Sequence, residues 1–388
     1  MVDPSSQPRP SRRHPCPYER VHCCPQSRQF CARGALCYDA CMHGSSSGPG
    51  HSDQLTQTLT PAPTPLHGVI NGWFVGRADA GSGQYTDHLL AHLPVADSQA
   101  RWTVLLPHDP AAEPGADPSA SLPKHPNLHV HPVPLPQLPK NLAKLWWEQV
   151  TVPRLARQLG ADLLWVPYWA GPWWQPVPTV VTIHDLIPLL LPAYRGGLLN
   201  RLYTRLVSAT ARRADRVLTV SQASARDITA HLGILPARIG AVHHGPNQPL
   251  ARVDADLDTG MDETQVRAKY GLPERYFLYL GGFDVRKNLA GILAAYARFR
   301  ERGGDPAIGL VIAGKLPDVH TKFTPDPRRM AADLGLVEHI TFTGWIDEAD
   351  KPALYALSLG YLFPSHYEGF GMMVLEAMQA GTPVIPRR

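Results

Sequence analysis

HYEGFGMMVLEAMQAGTPVI, residues 366–385, begins after the apolar run YLFPS (361–365) and ends in a second one, TPVIP (382–386). It reads as strand, glycine turn, helix, strand, the repeating unit of a parallel sheet covered on both faces. Glu368 sits at the strand-to-helix turn, Gly369 and Gly371 let backbone approach a ligand, and Glu376 follows on the helix. Eight residues of helix between the glutamates would span ~12 Å. That matches an elongated ligand held at both ends, such as a sugar nucleotide. Its phosphates would lie near the helix N-terminus, where unpaired amides and the macrodipole favour anions. The plainer reading, a surface helix with two solvated glutamates, loses ground because E-G-F-G directly follows a buried strand.

The same alternation extends upstream. FLYLGG (277–282) precedes a helix from residue 288, IGLVIAG (308–314) one near 327, and ITFTGW (340–345) one from 348. Within GGFDVRKN (281–288), Arg286 and Lys287 place two cations before a helix, where a diphosphate leaving group could be neutralised without a metal. An earlier series starts at VINGWFVG (69–76), read as a buried strand. AGSGQY (80–85) follows as a glycine turn and TDHLLAHL (86–93) as a short helix. WTVLLP (102–107), a helical stretch 141–159, DLLWVP (162–167), VVTIHD (180–185), a basic helix 198–214 and RVLTVS (216–221) continue it, with a helix opening at Ser221.

The fold class is therefore α/β, with two doubly wound Rossmann-like domains. The N-terminal one spans 67–250, a polar linker 251–272 and the C-terminal one 273–388. Strand 382–386 is expected at the centre of its sheet. With no helix after it, the second domain reads as C-terminally incomplete.

Composition narrows the function. Thirty-seven Lys+Arg against 33 Asp+Glu give a net charge of +4, which argues against a dedicated nucleic-acid binder. No apolar run reaches the ~18–20 residues of a spanning helix. All six cysteines lie between Cys16 and Cys41 in a Pro/Ser/Arg-rich segment, 1–66, without hydrophobic period or C-x-x-C spacing. This segment is expected to be a disordered tail or a mis-set start, and the cysteine-free body suits a reducing cytoplasm.

Gly83 in AGSGQY and His184 in TIHDLIP both lie at carboxyl ends of expected strands, where α/β sheets bind ligands. His184 could donate to a substrate hydroxyl or assist catalysis; a structural histidine is the alternative. Asp254, Asp256 and Asp258 fail as a calcium loop, having Thr259 at the sixth position and Gln265 at the twelfth. Lys144, Trp146, Trp147, Arg154 and Arg157 form a basic-aromatic stretch suited either to core packing or to contact with a membrane's inner face.

Together these residues resemble family 4 of the retaining, nucleotide-sugar-dependent glycosyltransferases, which have the GT-B fold. The resemblance runs from Val69 to the end and rests on Glu368-GFGMMVL-Glu376 (the family's E-x7-E element) and GGFDVRKN. VVTIHDLIPL, VLTVSQASARDI, VHHGPN and ITFTGWI support it. It implies that Glu368 binds donor-sugar hydroxyls and Glu376 the donor ribose, and that Arg286 and Lys287 neutralise the diphosphate. Amides of Phe370, Gly371 and Met372 would lie near phosphate and sugar, Gly83 would border the phosphates, and His184 would approach the transferred sugar. No metal or other cofactor is implied. The implied partners are a nucleotide sugar, GDP-mannose being favoured by GGFD-x-RKN, and a glycan or lipid-linked acceptor. Where relatives carry an Arg after the glycine, this chain has Phe283, which shifts the burden to Arg286 and Lys287. The alternatives are an inactive truncated fragment that at most binds a nucleotide sugar, and another GT-B enzyme such as a sugar-nucleotide epimerase. Deleting residues 1–66 is expected to leave the melting temperature and donor binding unchanged; lost stability, or stoichiometric zinc on the tail, would refute that.

Overall fold

The computed structural model describes residues 64–77, 80–108, 118–246 and 263–387. The cysteine-bearing segment through residue 63 and the carboxylates at 254–258 lie outside the described residues.

Two sheets organise the rest. The first contains β1 (His67–Asn71), β2 (Arg101–His108), β3 (Leu128–Pro134), β4 (Leu163–Val166), β5 (Thr179–Thr182), β6 (Arg216–Thr219) and β7 (Ile239–Ala241), in the order β3-β2-β1-β4-β5-β6-β7. The second contains β8 (Arg275–Leu280), β9 (Ile308–Ala313), β10 (Ile340–Gly344), β11 (Gly360–Phe363) and β12 (Val384–Pro386), in the order β10-β9-β8-β11-β12. Every pairing among these strands is parallel. Parallel neighbours need crossovers, and helices supply most of them. The first domain has α1 (Gly81–Ala96), α2 (Lys140–Trp146), α3 (Val152–Gln158), α4 (Ile187–Leu190), α5 (Leu198–Arg213) and α6 (Gln222–Leu232). The second has α7 (Glu263–Tyr270), α8 (Leu289–Glu301), α9 (Pro327–Asp333), α10 (Lys351–Ala356) and α11 (Met372–Gln379).

Burial explains the apolar strands. On one face of the first sheet, Val152, Val207 and Ile228 of α3, α5 and α6 pack with Leu164, Val181 and Val217. On the other, Leu90 of α1 packs with Ile70 and Val104. The second sheet is sandwiched likewise, by Leu289 and Leu293 of α8 on Leu310 and by Leu354 of α10 and Ala377 of α11 on Leu278. Chain order reverses between β1 and β4 in the first sheet and between β8 and β11 in the second. Crevices open at such reversals, outside the strands' carboxyl ends.

Several local expectations change. β1 stops at Asn71, because the Asn71 carboxamide oxygen accepts from the Trp73 amide (3.1 Å) and the Trp147 indole (2.8 Å) and turns the chain. The AGSGQY segment is no separate turn but the start of α1. Residues 263–270, read as linker, form α7. β3 and β7 were not expected; both are edge strands, and β3 carries Pro132 and Pro134, which an edge tolerates. β12 is also an edge strand among the described residues, not a central one.

The basic-aromatic stretch divides in two. A π-helical turn, Trp147–Thr151, joins α2 to α3 and buries Trp147 and Glu148 completely, while Trp146 stays 46% exposed. Lys144 Nζ lies 3.0 Å from the Glu148 carboxylate, and the Tyr203 hydroxyl lies within 3.0 Å of both its oxygens. Burial raises the Glu148 pKa and Lys144 opposes the rise. Removing one member of such a pair strands the other charge. Lys144→Ala should lower the unfolding free energy in urea by about 3 kcal/mol. Joint replacement by Lys144→Met and Glu148→Leu should recover most of it. A single-variant loss below about 1 kcal/mol would show that the pair carries little.

Candidate active site at the facing crevices

The β8/β11 reversal brings two loops together. After β8, Asp284 caps a short 3-10 turn, Val285–Lys287, by accepting from the Arg286 amide (3.2 Å). After β11, the chain runs through Pro364 and Ser365 to Glu368. The His366 amide donates to the Arg286 carbonyl (2.8 Å), and the Arg286 guanidinium donates to the Tyr367 carbonyl (3.0 Å). Glu368 then pairs with both cations: one carboxylate oxygen with Arg286, the other with Lys287 Nζ at 2.6 Å. Ser365 Oγ adds a hydrogen bond of 2.9 Å. Burial works against the Arg286 charge, but the carboxylates of Glu368 and Asp284 outweigh it and its pKa is raised. Phe283, where relatives carry Arg, is buried in the core beside α8.

Glu368 and Glu376 do not share a helix. Residues 368–371 form a loop, and α11 starts at Met372 after Gly371, whose φ of 96° suits glycine. Glu376 therefore rises only ~6 Å along the helix from Met372. Its carboxylate accepts from the Tyr355 hydroxyl (3.0 Å). The expected 12 Å rod of helix between the two glutamates is replaced by a turn and half a helix.

The E-G-F-G loop seats directly on the first domain. Ser221 Oγ donates to the Gly369 carbonyl (2.6 Å), Ser224 Oγ lies 3.2 Å from the same carbonyl and 3.1 Å from that of His184 in its own domain, and the Tyr367 hydroxyl donates to Asp227 (2.7 Å). A Cβ on residue 369 would lie 2.7 Å from the His184 carbonyl oxygen, so only glycine fits. Tyr194 also donates to Asp284 across this seam. His184, Tyr85 of α1, His244 and Phe370 form an aromatic wall, with Tyr85 edge-on to His184 (4.7 Å) and Phe370 edge-on to His244 (5.2 Å).

His184 Nε2 lies 3.2 Å from the Pro167 carbonyl. A carbonyl only accepts, so Nε2 carries the proton and Nδ1 is left as an acceptor. The donor role open to His184 in the sequence thus becomes an acceptor role at Nδ1. Burial lowers its pKa to about 4. At Gly83 a Cβ would lie 2.0 Å from the Arg77 carbonyl, so its bareness accommodates the 73–77 turn. Among the described residues, no cluster of three or more His, Cys, Asp or Glu could hold a metal ion.

With this geometry, similarity to known proteins is informative. The Glycosyltransferase Family 4 profile matches residues 80–247, and that of Glycosyl transferases group 1 matches 262–387. The chain belongs to the family 4 glycosyltransferases. It is 30% identical over 223 residues to the serotype-specific mannosyltransferase WbdA of Escherichia coli, covering 54% of this chain and 25% of that protein. It is 31% identical over 175 residues to D-inositol 3-phosphate glycosyltransferase of Mycobacterium bovis, covering 44% and 34%. It thus spans only a quarter to a third of these curated relatives. HepE of Anabaena, solved with UDP-glucose, superposes with a TM-score of 0.57 at 18% identity, over 83% of this chain and 80% of that one. Sucrose-phosphate synthase of Thermosynechococcus elongatus gives 0.56 at 20%, over 83% and 81%. Both likenesses are of fold: this glycosyltransferase has the GT-B architecture.

Tyr85, His244, Ser221, Ser224 and Tyr355 lie around the candidate site but did not emerge as site residues from the sequence. His244 was within reach through VHHGPN; Ser221 read only as a helix cap. The His184 shift carries a pH dependence. Unfolded, the ring titrates near 6.5; folded, near 4. Below pH 6.5 the unfolded chain gains a proton that the folded chain refuses, so stability is lost as pH falls from 6.5 towards 4. Between pH 7 and 5 the native protein should lose about 2 kcal/mol more than His184→Asn, read from urea midpoints. Equal losses would show that His184 is not held neutral.

Proposed function

We propose that this glycosyltransferase transfers a hexose, mannose first among the candidates, from a nucleotide-diphosphate sugar to a glycan or lipid-linked acceptor, with retention of anomeric configuration. The observation that carries the reading is one carboxylate, Glu368, held by Arg286 and Lys287 at the β8/β11 reversal, in a loop seated against His184. WbdA, a mannosyltransferase by name, supports mannose. HepE, solved with UDP-glucose, supports a nucleotide sugar as the donor.

In this reading the two cations are shared between Glu368 and the donor diphosphate, so that each anion positions the charges for the other. Amides of Phe370, Gly371 and Met372 at the start of α11 receive phosphate and sugar, and Glu376 takes the ribose hydroxyls. The remaining lone pairs of Glu368 accept from hydroxyls of the transferred sugar, and His184 Nδ1 accepts from another. The bond from the anomeric carbon to phosphate breaks while the acceptor oxygen bonds to the same face. The departing phosphate oxygen takes the acceptor's proton, and Arg286 and Lys287 stabilise its charge in place of a metal.

A screen of nucleotide sugars, read as nucleotide diphosphate release, tests the proposal. Glu368→Gln should lower kcat more than it raises donor KM, and Glu376→Ala should act mainly on donor KM. Lys287→Ala should cost about 2–4 kcal/mol of transition-state stabilisation. EDTA should leave turnover largely intact. Negligible effects of both glutamate changes on an active protein, or inactivation by EDTA reversed by Mn²⁺, would overturn the assignment.

A further inference from the structure

A second surface lies outside the crevices. From residue 186 to 214 the chain has five arginines (195, 201, 205, 212 and 213) and no Asp or Glu. Within this run, Leu198 is 71% exposed and Leu199 80%, and Leu202 follows one turn after Leu198 on the outer side of α5. On α2, Leu142 and Trp146 form a similar exposed pair four residues apart. α2 and α5 lie side by side, since Lys144 donates to the Tyr203 hydroxyl at 2.8 Å. The helical run from α2 into α3 and α5 pack on the same face of the sheet, so both exposed rows point away from it.

A helix that follows a parallel strand starts at the sheet's carboxyl edge. α5, after β5, and α2, after β3, therefore present their exposed leucines and Trp146 at the edge where His184 lies. Arg195, Arg201 and Arg205 are exposed around this end of α5. An outer face in water ordinarily carries polar residues. This one alternates leucine with arginine and has an indole at its margin, the pattern of a helix lying in a bilayer interface.

We propose that the outer face of α2 and α5 docks on an anionic lipid bilayer, with Leu198, Leu199 and Trp146 entering the headgroup–acyl boundary and Arg195, Arg201 and Arg205 meeting lipid phosphates. Charge complementarity selects this occupant: the patch is cationic without a compensating carboxylate along α5, and an apolar row between arginines fits a surface that is anionic above and apolar beneath. Nucleic acid would answer the arginines but not the leucines. The docked face borders the mouth of the candidate site, so an acceptor lying in the same bilayer would approach it without leaving the membrane. Docking does not depend on the donor or on transfer, and its test is separate from theirs.

Flotation of the full chain with phosphatidylcholine vesicles, alone or mixed with phosphatidylglycerol, tests it. Binding should require phosphatidylglycerol and decline with added salt. Leu198→Ser with Leu199→Ser, and separately Arg201→Glu with Arg205→Glu, should each weaken binding on the order of tenfold. Urea midpoints should not move, because these side chains are exposed. Equal binding to neutral vesicles, or native binding by both variants, would overturn the proposal. So would a solution dimer that the leucine changes convert to monomer without affecting vesicle binding, which would make the face a contact between copies.

Discussion

One carboxylate between two cations governs the arrangement around the second domain's crevice. Glu368, Arg286 and Lys287 are all largely shielded from water, with side-chain exposures of 18%, 12% and 13%. At that burial none of the three is well accommodated alone. Their mutual pairing ties the loop after β8 to the loop after β11, and the His366–Arg286 backbone bond closes the same junction. Once those loops are joined, Gly369 has one place to go, against the His184 carbonyl. The domain seam is in this sense a consequence of the ion triad.

The parallel architecture was legible because strands buried on both faces must be apolar along their length. Ile308–Ala313 and Arg275–Leu280 stand out from any polar surroundings. The turn at 368–371 was legible because glycines and charges after such a strand are hard to place otherwise. The start of α11 was not, since a helix boundary depends on which residue takes the left-handed conformation, and either Gly369 or Gly371 could have done so. β3 and β7 escaped notice for a related reason: edge strands bury only part of their surface, so their sequences lose the apolar signature. The expected turn at Gly81–Gly83 was lost to α1 because the 73–77 segment folds back against that helix, a tertiary contact that no local pattern announces.

Partnerships across the seam were the least legible part. Ser221 reads as an ordinary N-cap, and it is one, accepting from the Ser224 amide at 3.1 Å. Its hydroxyl hydrogen simultaneously goes to a carbonyl 148 residues away. A single hydroxyl can serve as acceptor for its own helix and donor to another domain, and only the first role leaves a sequence trace. On the outer surface the sequence signal and the exposed residues part company. The basic-aromatic stretch suggested a surface, but Trp147 turned inward to Asn71 and Lys144 to Glu148. The exposed leucines of α5, unremarkable in a helix that also buries Val207 and Ala211, proved the better outward-facing row.

The two serine hydroxyls that reach across the seam converge on a single acceptor, the main-chain carbonyl of Gly369. That residue joins the domains without a side chain: its carbonyl takes both bonds, and its bare Cα clears the His184 carbonyl. On the second domain's side this part of the latch is therefore spelled in backbone alone, and what matters at position 369 is the absence of a Cβ. The imidazole of His184 takes no part in these bonds, so the chemistry of the crevice and this part of the joint that assembles it rest on different atoms.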